Sequence, residues 1–196
     1  MPSHTMALGN GGGYIESAAV GDRKLSKTQH DHVGIAHAAV ATLAFVAIYP
    51  IGAIIVRVAD FPGLLWVHAA LQGLGTLFFI IALGLGVMLA NYGGEWNNTH
   101  PIIGILLFVM LLLQPPLGIL HHKLYKKYGR RTVWSYAHLT IGRIAIFLGM
   151  VNGGLGLRLA GASRSAYIAY GVITAIVGSV YIATIVFGER KRISKA

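Results

Sequence analysis

The chain has no cysteine, few charges and very few acids. None of its 196 residues is Cys, which excludes disulfides, iron–sulfur clusters held by thiolates and thiolate-ligated haem. It also removes any reading of redox compartment from Cys usage. Only 11% of the residues are charged, where a soluble domain of ordinary composition carries about a quarter. Acids are scarcest, six Asp and Glu against 16 Lys and Arg, for a net charge of +10. Residues 1–29 lack the apolar core that a secretory leader needs, so no signal peptide is expected. Hydrophobic residues fill the composition instead, at 55% of the chain and a mean hydropathy of +0.65.

These apolar residues fall in five runs, at 33–58, 64–92, 99–121, 135–160 and 166–187. Each is near the roughly 20 residues needed to cross hydrocarbon. The expected fold is an all-α integral membrane protein of five transmembrane helices, the first four forming a four-helix bundle and the fifth peripheral. Residues 1–31 read as a polar, Gly-rich tail or linker, mobile in solution. Residues 32–188 read as the membrane domain and 189–196 as a basic cytoplasmic tail. Pro50 is expected to kink the first span, and Pro115-Pro116 to bend the end of the third.

The basic residues sit at the span ends and in one long loop, HHKLYKKYGRRTVWSY, between the third and fourth spans. This distribution fits the positive-inside rule and not a nucleic-acid stripe, so no nucleic-acid partner is expected. Five spans put ten basic residues on one side, including Arg57, the loop and the C-terminal tail, and five on the other, Arg23, Lys24, Lys27, Arg158 and Arg164. The expected orientation is an extracytoplasmic N-terminus and a cytoplasmic C-terminus, in a plasma membrane or endomembrane. The sequon Asn97-Asn98-Thr99 then falls on the outer side, close against the hydrocarbon.

Four spans each carry a His near their N-terminal end: His37, His68, His100 and His138. An ionisable residue within a membrane span is costly and marks function by default. Neighbouring spans run in opposite directions, so His37 and His100 are expected near the outer face, and His68 and His138 near the cytoplasmic one. A single His at a helix end is usually an interfacial polar residue. Four of them, paired by topology at two depths, point to two bis-imidazole haems, one axial pair each. Two axial His leave no open coordination site, so such haems pass electrons and do not bind oxygen. His30, His32, His121 and His122 flank the spans and are placed in solvent or headgroups; His4 lies in the tail.

Helical phase adds detail. An α-helix returns to the same face after 18 residues, about 27 Å along. Counting 18 from His68, His100 and His138 reaches Gly86, Gly118 and Gly156. Each of these helices is expected to offer a ligand to one haem and a bare glycine face to the other; the first span breaks the pattern with Ile55. Gly104 and Gly142, four residues after a ligand, are expected to clear room beside the near haem. Gln114 and Asn152 lie 14 residues after His100 and His138. They point inward, Gln114 toward the cytoplasmic haem and Asn152 toward the outer one, as hydrogen-bonding groups or simply as interhelical bonds. Arg143 is a cation inside the fourth span that needs a partner; a haem propionate is the first choice. The fifth span has no His and reads as a packing or dimerisation element, its Tyr167, Tyr170 and Tyr181 interfacial. Two other classes compete. One is a haem-free helical scaffold or metal-binding protein with structural His. The other is a transporter, which the absence of an inverted repeat of broken helices speaks against.

The four His on four successive helices, and the string LLLQPPLGILHHKLYKKYGRRTVWSYAHLTIGRIAIFLGMVNGGLGLRLAG, resemble the cytochrome b561 family. The likeness is greatest to the membrane domain of fungal proteins in which a DOMON haem domain precedes a cytochrome b561 domain, and it covers about residues 33–188. The resemblance implies two haem b groups per chain and a transmembrane oxidoreductase, in some members an ascorbate-dependent ferric reductase. Electrons then pass from a cytosolic reductant such as ascorbate to an outer ferric chelate, monodehydroascorbate or attached haem domain, often in a homodimer. Ascorbate-using members have basic residues before the second core helix. Here residues 61–68 hold no Lys, and Arg57, Lys123 and Lys126, with Arg143, are the expected substitutes at the donor site.

Overall fold

Each helix begins and ends where local chemistry dictates. In the computed structural model, which describes residues 26–193, Ser26 and Gln29 form a reciprocal capping box, Gln29 N donating to Ser26 Oγ at 3.2 Å and Ser26 N to Gln29 Oε1 at 2.9 Å. The cap satisfies two orphan donors and starts α1 (Lys27–Thr42) well before residue 33. Residues 27–31 are therefore helix and not tail; residues 1–25, with His4, Arg23 and Lys24, lie outside the described residues, as do 194–196 with Lys195.

The first span continues through a π-helical turn at Leu43–Ile48 into α2 (Tyr49–Val58). Pro50 explains the turn. A proline ring clashes with the carbonyl four residues back. Widening the preceding turn relieves that clash, and the Tyr49 N–H accordingly bonds Ala44 O, five residues back. The expected kink is thus taken up as one inserted residue.

α3 (Leu64–Gly93), α4 (Thr99–Tyr128), α5 (Val133–Leu159) and α6 (Arg164–Ile193) follow. Pro115 and Pro116 lie inside α4, which runs on without a break. It extends seven residues past the expected end, because nothing stops it before Gly129, whose φ of 66° closes the helix. Lys126 and Lys127 sit at its negative dipole end. The expected basic loop shrinks to residues 129–132, and a second capping box at Thr132 and Ser135 opens α5. Gly63, Gly94 and Gly161 turn the other three corners, also with positive φ.

All five spans are long and apolar enough to cross a membrane. α4 lies against α5, and α1 and α2 against α3; α6 lies outside against α2 and α5. The core is Ala44, Phe45, Val46, Tyr49, Phe79, Leu107, Leu111, Ala145, Ile146, Met150 and Tyr181. Large apolar side chains such as Trp66 (78% exposed) and Phe187 (66% exposed) cover the outside, as a hydrocarbon solvent permits. Aromatic rings seat on bare helix faces: Tyr49 on Gly75, Phe45 on Gly149 and Tyr170 on Gly153. Small residues at such contacts allow the close approach that membrane helices need.

Candidate functional site

His37 from α1 and His100 from α4 meet across the bundle. Their ring centroids are 5.7 Å apart and their planes nearly perpendicular, at 87°. His37 Nδ1 lies 2.7 Å from Ala82 O, and His100 Nδ1 lies 3.0 Å from Asn152 O. A carbonyl can only accept, so Nδ1 donates in both rings and Nε2 keeps its lone pair. Nδ1–H held by a backbone carbonyl is how proteins fix the tautomer and orientation of a metal-ligating imidazole. His68, at the opposite end of the bundle, is held in the same way, Nδ1 donating to Gly52 O at 2.7 Å. For His138 the matching carbonyl is that of Gln114, and Nδ1 makes no full hydrogen bond to it.

The glycines explain how a ring reaches a carbonyl already used inside its helix. Gly86, Gly118 and Gly156 each lie four residues after one of these acceptors. A Cβ on Gly86 would stand 2.9 Å from His37 Cε1, one on Gly118 3.1 Å from His138 Cε1, and one on Gly156 2.8 Å from His100 Cε1. Each glycine face therefore receives an imidazole from the facing helix; the expectation from the sequence had a haem plane there. The first span fits once its π-turn is counted. Gly52 lies 15 residues after His37, where the other acceptors lie 14 after their His, and the extra residue restores the phase. Val56, not Ile55, is then the counterpart of the three glycines.

A cavity of about 270 Å³ opens at the His37 end, lined by both rings and by Gly86, Gly104, Asn152 and Gly156. A Cβ on Gly104 would meet only Asn152 Nδ2, at 4.0 Å. At the other end Gly142 faces Gln114, whose Oε1 would lie 3.0 Å from an added Cβ. Gln114 Nε2 and Asn152 Oδ1 are buried without partners. α4 and α5 thus present matched sets: His100, Gly104, Gln114, Gly118 and His138, Gly142, Asn152, Gly156. Among the described residues no cluster of three or more His, Cys, Asp or Glu gathers around a point. A bare structural ion wants about four protein ligands, so the donor set fits a metal that brings its own equatorial ligands. The orphaned Asn152 Oδ1 in a glycine-lined cavity fits the same group.

Several residues are not where sequence reasoning put them. His121 is not left in solvent: its ring lies 5.8 Å from that of His138, interplanar angle 21°, and its Nδ1 is 2.7 Å from Ser135 Oγ. Ser135 is fully buried, and in the sequence it marked only the start of the fourth apolar run. His30 lines the mouth of the cavity and lies against Tyr92, centroids 5.0 Å apart; His32 and His122 are exposed. Tyr170 of α6 also lines the cavity, its hydroxyl donating to Met150 O at 2.7 Å. Tyr181 is buried in the core, so two of the three tyrosines tie the outer helix in. The partner of Arg143 is Glu189, Nη2 to Oε1 at 2.9 Å. Arg131 donates to the same carboxylate at 2.8 Å, and Arg57 approaches it at 3.9 Å. Arg57 thus belongs to an ion cluster, while Lys123 and Lys126 stay exposed on the last turns of α4. Glu189 was readable only as the single acid in a basic tail.

No family model matches the chain, and no solved structure matches it. Curated relatives do. Cytochrome b561 and DOMON domain-containing protein At3g61750 of Arabidopsis thaliana is 32% identical over 143 residues, which are 71% of this chain and 35% of that protein. Cytochrome b561 and DOMON domain-containing protein At3g59070 of the same plant is 28% identical over 163 residues, 80% of this chain and 34% of that protein. A third, At4g17280, is 29% identical over 175 residues, 84% of this chain and 42% of that protein. The chain spans about a third of the length of the first two. With five membrane-length helices and His on four of them in succession, it belongs to the cytochrome b561 family.

Proposed function

We propose that the chain carries electrons across a membrane through two bis-His haem b groups, His37 and His100 holding one and His68 and His138 the other. One observation carries this reading: two imidazoles from the first and third spans, which run in the same direction, face each other 5.7 Å apart beside an apolar cavity, each with Nδ1 tied to a carbonyl and Nε2 free. A metal–nitrogen bond of about 2 Å on each side suits that gap. Each haem would supply a one-electron ferric/ferrous couple. Everything else falls to the protein. The carbonyls fix the ligand tautomers, the glycines admit the rings, and Gln114 and Asn152 offer buried polar atoms to a cofactor edge. Phe45 and Phe79, ring centroids 5.2 Å apart, line the inner wall of the cavity and keep water out.

The enzyme is a transmembrane oxidoreductase working from a cytosolic reductant, ascorbate being the first to try, to an extracytoplasmic acceptor. Acceptors of the right kind are a ferric chelate, monodehydroascorbate or a partner haem domain of the DOMON type, since the relatives are named for a DOMON domain beside their cytochrome b561 domain. The basic end of the bundle faces the cytoplasm by the positive-inside rule, and a homodimer in the lipid is the working assembly. The test is a pyridine haemochrome assay on detergent-purified full-length chain, with an ascorbate-reduced minus oxidised spectrum. Two haem b per chain, reduced by ascorbate, is the expected result. Haem that only dithionite reduces would reject ascorbate as donor; no haem in protein made with ample haem supply would reject the electron-transfer reading.

A further inference from the structure

Three arginines from three parts of the chain converge on one carboxylate. Arg57 ends α2, Arg131 lies in the short turn before α5, and Arg143 lies inside α5. All three meet Glu189 near the end of α6. The cluster is partly buried, with side-chain exposures of 13%, 17%, 27% and 24% for Arg57, Arg131, Arg143 and Glu189. Among the described residues one carboxylate faces three guanidinium groups where water screens charge poorly. Arg143 also has a buried Nε with no partner, so the site retains donor capacity that Glu189 does not use. The carboxylate is carried by the outermost helix, near its C-terminal end.

A guanidinium fork recognises planar or tetrahedral oxyanions by charge-assisted hydrogen bonds, and basic pockets between membrane helices near the interface take anionic head groups. We propose that this is an anion site of phosphate or carboxylate chemistry, with Glu189 as its tethered occupant, and that a free anion carrying two or more negative charges displaces Glu189 and releases the end of α6. Arg57, Arg131, Arg143 and Glu189 include none of the four His, so the inference does not depend on the haem assignment. Displacement would leave α6 anchored by Tyr170 on Gly153 and by the buried Tyr181, and would open the basic end beside His138.

The test measures thermal unfolding of the full-length protein in neutral-lipid nanodiscs, with pyrophosphate as the soluble probe and, separately, with phosphatidic acid in the disc. In the wild type either anion raises the unfolding temperature. Glu189→Gln keeps the shape and removes the competitor, so the same rise is expected at concentrations about tenfold lower, a coupling of ordinary size. Glu189→Asp retains the charge on a shorter arm and falls between the two, which keeps the comparison usable if the Gln variant folds poorly. Arg143→Gln loses the response. A response to phosphatidic acid alone supports the site and assigns it to a lipid head group; a response to pyrophosphate assigns it to a soluble anion. No gain in Glu189→Gln and Glu189→Asp over wild type, or an undiminished response in Arg143→Gln, overturns the proposal whatever the haem content.

Discussion

At the scale of single residues, the site depends on atoms that are absent. Gly156 lets the His100 ring lie against α5 and reach Asn152 O, and a Cβ there would stand 2.8 Å from the ring. Gly156→Val is expected to displace His100, cost about 1–3 kcal/mol of stability and lower haem content to about one per chain. Gly154→Ala is the control: nothing lies within 4 Å of its added Cβ, and Ala in a helix interior is expected to raise stability by up to about 1 kcal/mol. Equal behaviour of the two variants in haem content would show that the glycine face is unimportant. His100→Ala tests the pairing itself. It should abolish one haem signal, the one whose axial planes are nearly perpendicular, and leave the other; loss of both signals or of neither would refute the pairing of His37 with His100.

At the scale of elements, the first span differs from its neighbours by one residue. The π-turn at Leu43–Ile48 accommodates Pro50 and keeps both His37 and Gly52 O on the bundle face. Such turns are one-residue insertions in an α-helix and cluster at functional sites. Removing Leu43, which is 46% exposed, together with Pro50→Ala should give a regular helix with the acceptor 14 residues after the His, as in the other three spans. Both haem signals are expected to survive in that variant, at a stability cost of about 1–3 kcal/mol. Selective loss of the His68 signal would mean that the π-turn does more than correct the phase. α6 has no His in its span, yet Tyr170, Tyr181 and Glu189 fasten it at three depths.

At the scale of the whole molecule, His37 and His100 lie near one end of the bundle and His68 and His138 near the other, on helices spanning about 30 Å of hydrocarbon, the two pairs separated by very roughly 20 Å along it. Proteoliposomes loaded with ascorbate should therefore reduce ferricyanide outside. His68→Ala is expected to slow that reduction at least about tenfold, in line with the loss of a metal-site group, while the His37/His100 signal persists. Undiminished transfer would rule out the His68/His138 pair as part of the route.

The sequence by itself determined the five spans, the place of a His near the start of four of them, and the family. These follow from composition and from two periods, the membrane thickness and the helical turn, and both are local. Tertiary structure decided what occupies each face. The counting argument found Gly86, Gly118 and Gly156, but only the packed bundle shows an imidazole lying on each, because a bare face has no partner until helices meet. Helix ends were missed at residues 27–32 and 122–128, since capping and polar amphipathic turns extend a helix past its apolar run. Arg143 announced a need for a counter-charge. That the need is met by Glu189, 46 residues on, and shared with Arg57 and Arg131, is a product of how three helices and the turn before α5 converge.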